Sequence, residues 1–549
     1  MNDFKWMGKT LLVVVPHEDD EINLAGSVIY KTVLQGIKVI CVFITNGDWF
    51  YPAQIRMKEA IHSLKTIGVN KEDIIFLGYP DSGEEIERSI FKSAQIDSNG
   101  HKSTYGSKEC LDFATIEYGH AQTYTWENVL SDLKCVILKY RPTTIIGTDF
   151  DNHADHRMSS IALDKAMGEI LNQKRNDYFP IYLKGFAYSV AFQGEDDLFD
   201  KHFRSSKINR KALRYPEFGT DNPAFEWKNR IRFPVEEDCR TIHMKRNIIF
   251  KALCCHESQK ILARASRIIN GDQVFWQKRT DNLIHQGKVT VSSGNGNFLC
   301  DFQTMDVKNV CVTKPDFEEY CWIPRDEMKW CRCTFAKERH IEEISFWGNI
   351  DTNSQILKGK LIFSNGYSYD VNSILPHGRE TQIKIVPQDH VKWVEFRILE
   401  WEGNEPGLAE WGIYAGKNQL IPVLKILCDG EFAYCWNVWK GEHTPKITAY
   451  MNGNISGLRW FINGNMLKSS EDVLTGCEKT RTHARIRVEA VNDSSLYDEV
   501  DIFYSSDFAK VKFLLSCYYN KWLIKWNKIK RAKRHHQLKK AVKMGLYNE

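Results

Sequence analysis

The sequence predicts an α/β domain with a mostly parallel sheet flanked by helices, then two β-sandwich domains, then a basic amphipathic C-terminal helix. Three observations carry this. Strand-like and helix-like runs alternate over roughly the first half of the chain, short β runs between turn residues follow, and the segment from Asp507 to Glu549 holds twelve Lys/Arg against two acids. A chain of 549 residues is long enough for several domains. At 43% hydrophobic and 26% charged, it is neither disordered nor fibrous in composition.

The run "TLLVVV" reads as a strand and "INLAGSVIYKTVLQG" as a helix stopped at Gly36. A strand, "KVICVFITNG", a helix, "AQIRMKEAIHSLKTIG", and a third strand, "DIIFLGYPD", follow. Further on come a helix, "NVLSDLKCVILKY", a strand, "TTIIGTDF", and a long helix, "HRMSSIALDKAMGEILNQ". Such alternation argues for a parallel sheet covered on both faces, with polar groups converging at the carboxyl ends of its strands. One more helical stretch, "NIIFKALCCHESQKILARASRIING", extends this domain, which is expected to span 1–290. Residues 295–416 and 420–505 read as antiparallel sandwiches, the second immunoglobulin-like in length, with Trp460 expected in its core. Residues 507–549 form the basic tail.

Directly after the first strand stands "PHEDDE", residues 16–21. Acids there suit the positive end of a helix. Equally, His17 and a carboxylate three residues on can turn toward one divalent metal ion. A second half-motif, "HADH", follows the strand "TTIIGTDF" and supplies His153, Asp155 and His156 at the same sheet edge. Two histidines and one carboxylate with an open position suit a hydrolytic zinc (Zn2+) centre.

These blocks resemble the zinc-dependent N-acetylglucosaminyl deacetylases related to phosphatidylinositol-glycan class L (PIG-L), also called LmbE-like. That family carries a "PHPDDE"-type signature and a later "HPDH"-type signature. "RMKEAIHSLKTIGV", "IIFLGYPDSG" and "KALCCHESQ" extend the resemblance over roughly residues 10–285. It implies a Rossmann-like fold, zinc held by His17, Asp20 and His156, and Asp19 as general base. A carboxylate adjacent to a ligand can accept the proton of the attacking water. His153, when protonated, can stabilise an oxyanion and protonate the leaving amine, with Asp155 orienting its ring. Arg56 matches a substrate-facing arginine, Asp81 is expected to accept sugar hydroxyls or support Arg56, His256 to border the pocket, and Glu21 to cap the helix. Glu18 and Ala154 replace the family's prolines. Asp149 and Asp151 add negative charge, which suits an amine-bearing sugar better than a phosphate-bearing one.

The region around 340–416 resembles the closing strands of galactose-binding-like, discoidin-type sandwiches, with "GLAEWGIYAG" before its end. Trp393, Trp401 and Trp411 are candidate sugar platforms, with a core role the stronger expectation. In the tail, aromatic residues interleave with lysines, the pattern of a helix lying on an anionic membrane surface; nucleic acid is the weaker rival. Its distance in sequence from both metal motifs implies that it is separable from the chemistry. The N-terminal apolar run is read as neither signal peptide nor span. The fifteen scattered cysteines read as thiols in a reducing compartment, so a cytoplasmic protein, peripheral at the inner face of the membrane, is expected. The expected activity is removal of an N-acetyl group from a sugar in a glycan or glycolipid precursor. Other amide or ester hydrolysis on the same centre, or carbohydrate binding alone, are the alternatives.

Overall fold

"TLLVVV" becomes β1 (Thr10–Val15), an inner strand of a seven-stranded sheet in a computed structural model of the protein. The structure describes residues 7–83, 90, 96, 97, 99–149, 153–173, 176–187, 230–241, 243–259, 265–269, 272–304, 320–349, 353–376, 378–416, 419, 421–432, 435–452, 455–468, 482–494 and 496–545. The apolar run is unbroken because both faces of β1 are covered. Leu11, Val13 and Val15 enter one core cluster, and Leu12 and Val14 enter the other. Burying such a side chain stabilises by roughly 1.5–3 kcal/mol relative to leaving it exposed.

The chain continues through α1 (Asp20–Leu34), β2 (Lys38–Thr45), α2 (Ala53–Thr66), β3 (Ile74–Tyr79), α3 (Phe113–Tyr118), α4 (Trp126–Tyr140), β4 (Thr144–Thr148), α5 (Ala154–Leu171) and β5 (Ile181–Gly185). Then come β6 (Ile231–Pro234), α6 (Glu237–Arg240), α7 (Ile248–Leu253), α8 (Ala265–Ile268) and β7 (Asp272–Lys278). The sheet order is β3-β2-β1-β4-β5-β7-β6. Strands β1 to β5 pair in parallel, while β7 runs antiparallel to β5 and to β6. Helices α1, α2 and α7 bury apolar faces on one side, and α4 and α5 on the other. Because β1 connects toward β2 while β4 lies on its opposite flank, a crevice opens beyond the carboxyl ends of β1 and β4. Both metal half-motifs follow these two strands.

A second sheet has the order β11-β10-β12-β9-β13, with β8 (Gly287–Val291) also paired to β9 (Lys329–Gly348). Strand β8, at the start of the run where the sequence turns β-rich, pairs with β9 in this sheet. The others are β10 (Gln355–Phe363), β11 (Ser368–Val371), β12 (Glu380–Glu402) and β13 (Leu408–Tyr414). Register shifts between Lys384 and Trp393 interrupt the pairing of β12 with β9, and residues from both halves of β12 enter one core. Trp411 is fully buried there, Trp393 is half-buried with Arg332 4.4 Å from its ring, and Trp401 is exposed with Lys329 over its ring.

A three-stranded and a five-stranded sheet share the next core, where Trp460 is buried as expected. The final helix, Asp507–Lys543, touches the rest of the protein between Phe513 and His535. Leu523 enters the core of the α/β domain, Phe513 packs on Trp439, and Arg531 donates to the carbonyls of Leu253 and Gln259. The tail is therefore part of the packed structure, contrary to its remoteness in sequence. Among the described residues, no helix is long and apolar enough to cross a membrane, and the described cysteines are free thiols.

Candidate active site

The turn from β1 into α1 places His17 to Asp20 at the crevice. Asp19 has φ 152°, a backbone conformation that L residues rarely adopt and that here aims its carboxylate at Arg56. Across the switch point, the β4–α5 turn presents His153 as the N-cap of α5, followed by Asp155 and His156. The three rings meet: centroids lie 4.7 Å apart for His17 and His153, 4.9 Å for His153 and His156, and 5.4 Å for His17 and His156.

Carboxylates thread this cluster. Asp20 Oδ2 lies 3.1 Å from His17 Nδ1 and 3.1 Å from His156 Nε2. His17 Nε2 lies 3.1 Å from Asp155 Oδ2 and 3.6 Å from Asp81 Oδ1. His17 thus has acids at both ring nitrogens. Burial works against its charge, yet Asp81, Asp155 and Asp20 raise its pKa well above the usual value. In the same field Asp20 is lowered: burial opposes, and His156 and His17 outweigh it. The pocket favours positive charge at its centre, and Asp155 Oδ1 is buried without a hydrogen-bond partner. Imidazoles and carboxylates within reach of one point fit a divalent ion of the zinc type. Two overlapping sets have ligand atoms within 4.8 Å of one another: His17, His153 and His156, and His17, Asp81, His153 and Asp155. His153 and Asp81 therefore stand closer to the centre than their motifs alone imply.

Two details differ from the sequence-based expectation. Asp155 orients His17, while its carboxylate is 4.0 Å from His153 Nδ1; it is the Asp155 backbone N–H that donates to that nitrogen. With Nδ1 accepting, the neutral His153 ring carries its proton on Nε2. Nor is His153 held protonated, because burial, followed by the charges of His17 and His156, pushes its pKa down to about 4.

Arg56, on α2, is buried and donates to Glu18 O at 2.7 Å, Gly47 O at 3.2 Å and Asp19 Oδ1 at 3.4 Å. With the Gln259 amide turned to satisfy its neighbours, Gln259 also accepts from Arg56. Burial would lower the guanidinium pKa, but Asp19, Glu18, Asp81 and Glu59 raise it. Gly47 permits this approach: its φ is +56°, and a Cβ there would meet Glu18 Oε2 at 2.3 Å. Arg56 is thus placed to hold Asp19.

His256 is fully buried, 3.0 Å from Glu21, so it supports the start of α1. Glu21 pairs with it rather than capping the helix. Asp149 accepts from Ser160 and lies 3.9 Å from Lys184, which offsets its charge; Asp151 lies outside the described residues.

Sequence reasoning missed Asp48, whose carboxylate accepts from Tyr105, from Asn99 and from the backbone N–H of Asp81. Burial first, with Asp97 and Asp81, pushes its pKa up to about 7. Its position just past the end of β2 was the available signal. Glu18 was noted only as a replaced proline. It is fully buried, neither of its carboxyl oxygens has a hydrogen bond, and burial raises its pKa to about 8 against the pull of Arg56.

The sequence model of the PIG-L family, described as GlcNAc-PI de-N-acetylase, matches residues 12–167, from β1 through the second half-motif but short of His256. A domain of unknown function, DUF7402, matches residues 282–414. No curated protein matches the chain. Among solved structures, the chain is similar to the N,N'-diacetylchitobiose deacetylase from Pyrococcus horikoshii complexed with its inhibitor MPG. That likeness has 20% identity, covers 36% of this chain and 66% of that one, and has a TM-score of 0.24. It is also similar to the family 32 carbohydrate-binding module of Clostridium perfringens NanJ in complex with galactose, with 13% identity, 24% and 94% coverage and a TM-score of 0.19. A Streptococcus pneumoniae fucose binding module matches at 17% identity, 24% and 96% coverage and a TM-score of 0.19. The chain spans just under two thirds of the length of the deacetylase, and at these TM-scores none of the three likenesses carries weight. The α/β region is a PIG-L-like domain, and it holds a His/Asp cluster able to bind a metal ion.

Proposed function

We propose that the protein is a zinc-dependent hydrolase that removes the acetyl group from an N-acetylglucosamine-type sugar in a glycan or glycolipid. The observation that carries this is the convergence of His17, Asp20 and His156 at the β1/β4 switch point of a PIG-L-like domain, with Asp19 beside them. His17, Asp20 and His156 would hold the ion. When bound, zinc supplies Lewis acidity and acidifies water toward pKa 7.

The chain's own groups do the rest. Asp19, oriented by Arg56, accepts a proton from the water that attacks the amide carbon. His153 offers its Nε2–H to the oxygen of the tetrahedral intermediate. Asp19 then passes its acquired proton to the departing amine. Asp155 and Asp81 fix the ring of His17 and keep the centre electrostatically suited to a cation.

The test is acetate release from a panel of N-acetylhexosamine glycans by purified protein of known zinc content. Release by the zinc-loaded parent, lost together with zinc in His17→Ala, is expected. Silence across the panel with zinc bound would overturn the deacetylase reading.

A further inference from the structure

The C-terminal helix has two different faces. On one, Cys517, Asn520 and Leu523 are buried against the rest of the protein, and Arg531 and His535 reach the α/β domain. On the other, Phe508, Val511, Leu515, Tyr518, Trp522 and Trp526 stand between 45% and 80% exposed. Their spacing of three or four residues sets them in one stripe along the helix. Lys512, Lys521, Lys525 and Lys530 are exposed beside it, and no acid occurs from Phe508 to Met544.

We propose that this outer face docks on an anionic lipid bilayer, with the helix lying in the headgroup plane. Aromatic rings at headgroup depth, aliphatic side chains beneath and lysines toward lipid phosphates match that environment term by term. A second copy of the face would bring two acid-free lysine rows together. Nucleic acid could stack on the rings but offers Val511, Leu514, Leu515 and Ile529 no apolar phase. The docking also has a direction. The Tyr51 hydroxyl lies 2.6 Å from His535 Nδ1, and Arg531 donates to the carbonyl of Gln259, whose side chain reaches Arg56. The face opposite the stripe therefore rests on the α/β domain that carries the candidate active site.

The experiment is sedimentation of the full-length protein with phosphatidylcholine vesicles, with and without phosphatidylserine, at low and physiological ionic strength. Binding that requires phosphatidylserine, weakens with salt and falls about tenfold or more in Trp522→Ala/Trp526→Ala is expected. The same variant should keep the parent's hydrolysis of a soluble N-acetylated sugar. Equal vesicle binding by parent and variant would overturn the proposal. So would a dimer, or an oligonucleotide complex, that these substitutions abolish while vesicle binding is absent. Vesicle binding without deacetylation of any substrate would leave the docking face standing and remove the deacetylase reading alone.

Discussion

Asp19 occupies a strained backbone position at the turn where the proposed chemistry needs a base, and Arg56 donates to its carboxylate. Arg56→Lys loses the planar pair of nitrogens in which Nη1 holds Gly47 O while Nη2 reaches Glu18 O and Asp19, so kcat should fall about 10- to 100-fold, the worth of a charge-assisted hydrogen bond, with zinc content unchanged. A variant that lost its zinc instead would move Arg56 from the base to the metal. His153 makes a second case. If a neutral ring donates an N–H to the oxyanion, His153→Ala should cost about 10²–10³ in kcat, and His153→Gln, which keeps an N–H, distinctly less. Equal losses in the two would contradict the donor role. At this scale the meeting of His17, Asp20 and His156 was legible, because strand ends in one parallel sheet share an edge. The partner of Asp155 was not. Nearness in sequence pointed to His153, whereas capping turns the Asp155 N–H toward that ring and leaves its carboxylate for His17.

The C-terminal helix shows what a single element hides. Apolar residues on both of its faces blur the periodicity that normally marks a buried side, so the sequence revealed the aromatic and basic character but not the docked face. Adjacent residues should separate the two. Leu523→Ala removes a side chain from the α/β core and should destabilise by about 2–5 kcal/mol, while Trp522→Ala, on the exposed stripe, should stay within about 0.5 kcal/mol. Urea unfolding of both proteins measures this. Equal stabilities would mean that the helix does not pack on the domain.

Across the molecule, the order of the modules was legible from texture alone, but the way they are joined was not. Phe302 is one such joint: its ring lies in the α/β core, Lys278 donates to its carbonyl, and its N–H donates to the buried Glu410 on β13. Nothing in a lone Phe-Gln dipeptide announces this. Burial, then Asp301, raises the Glu410 pKa well above the usual carboxylate value. A raised folded pKa contributes stability that is fully present below the unfolded value and is lost as pH rises through the folded one. Glu410→Gln keeps an acceptor for Phe302 and does not titrate. Its melting temperature should therefore gain on the parent's as pH rises from about 4 to 9, starting near the ordinary glutamate range. A difference that stays flat with pH would show that Glu410 is charged in the folded protein.

The central claim, that adjacent acids in "PHEDDE" divide into a base and a metal ligand, is tested most directly by zinc content measured alongside kcat for Asp19→Asn and Asp20→Asn. Asp19→Asn should hold zinc as the parent does and lose about 10²–10⁴ in kcat. Asp20→Asn should lose zinc, because a neutral amide replaces the carboxylate between His17 and His156. Zinc lost from the first variant and kept by the second, or near-normal turnover in Asp19→Asn, would contradict the assignment.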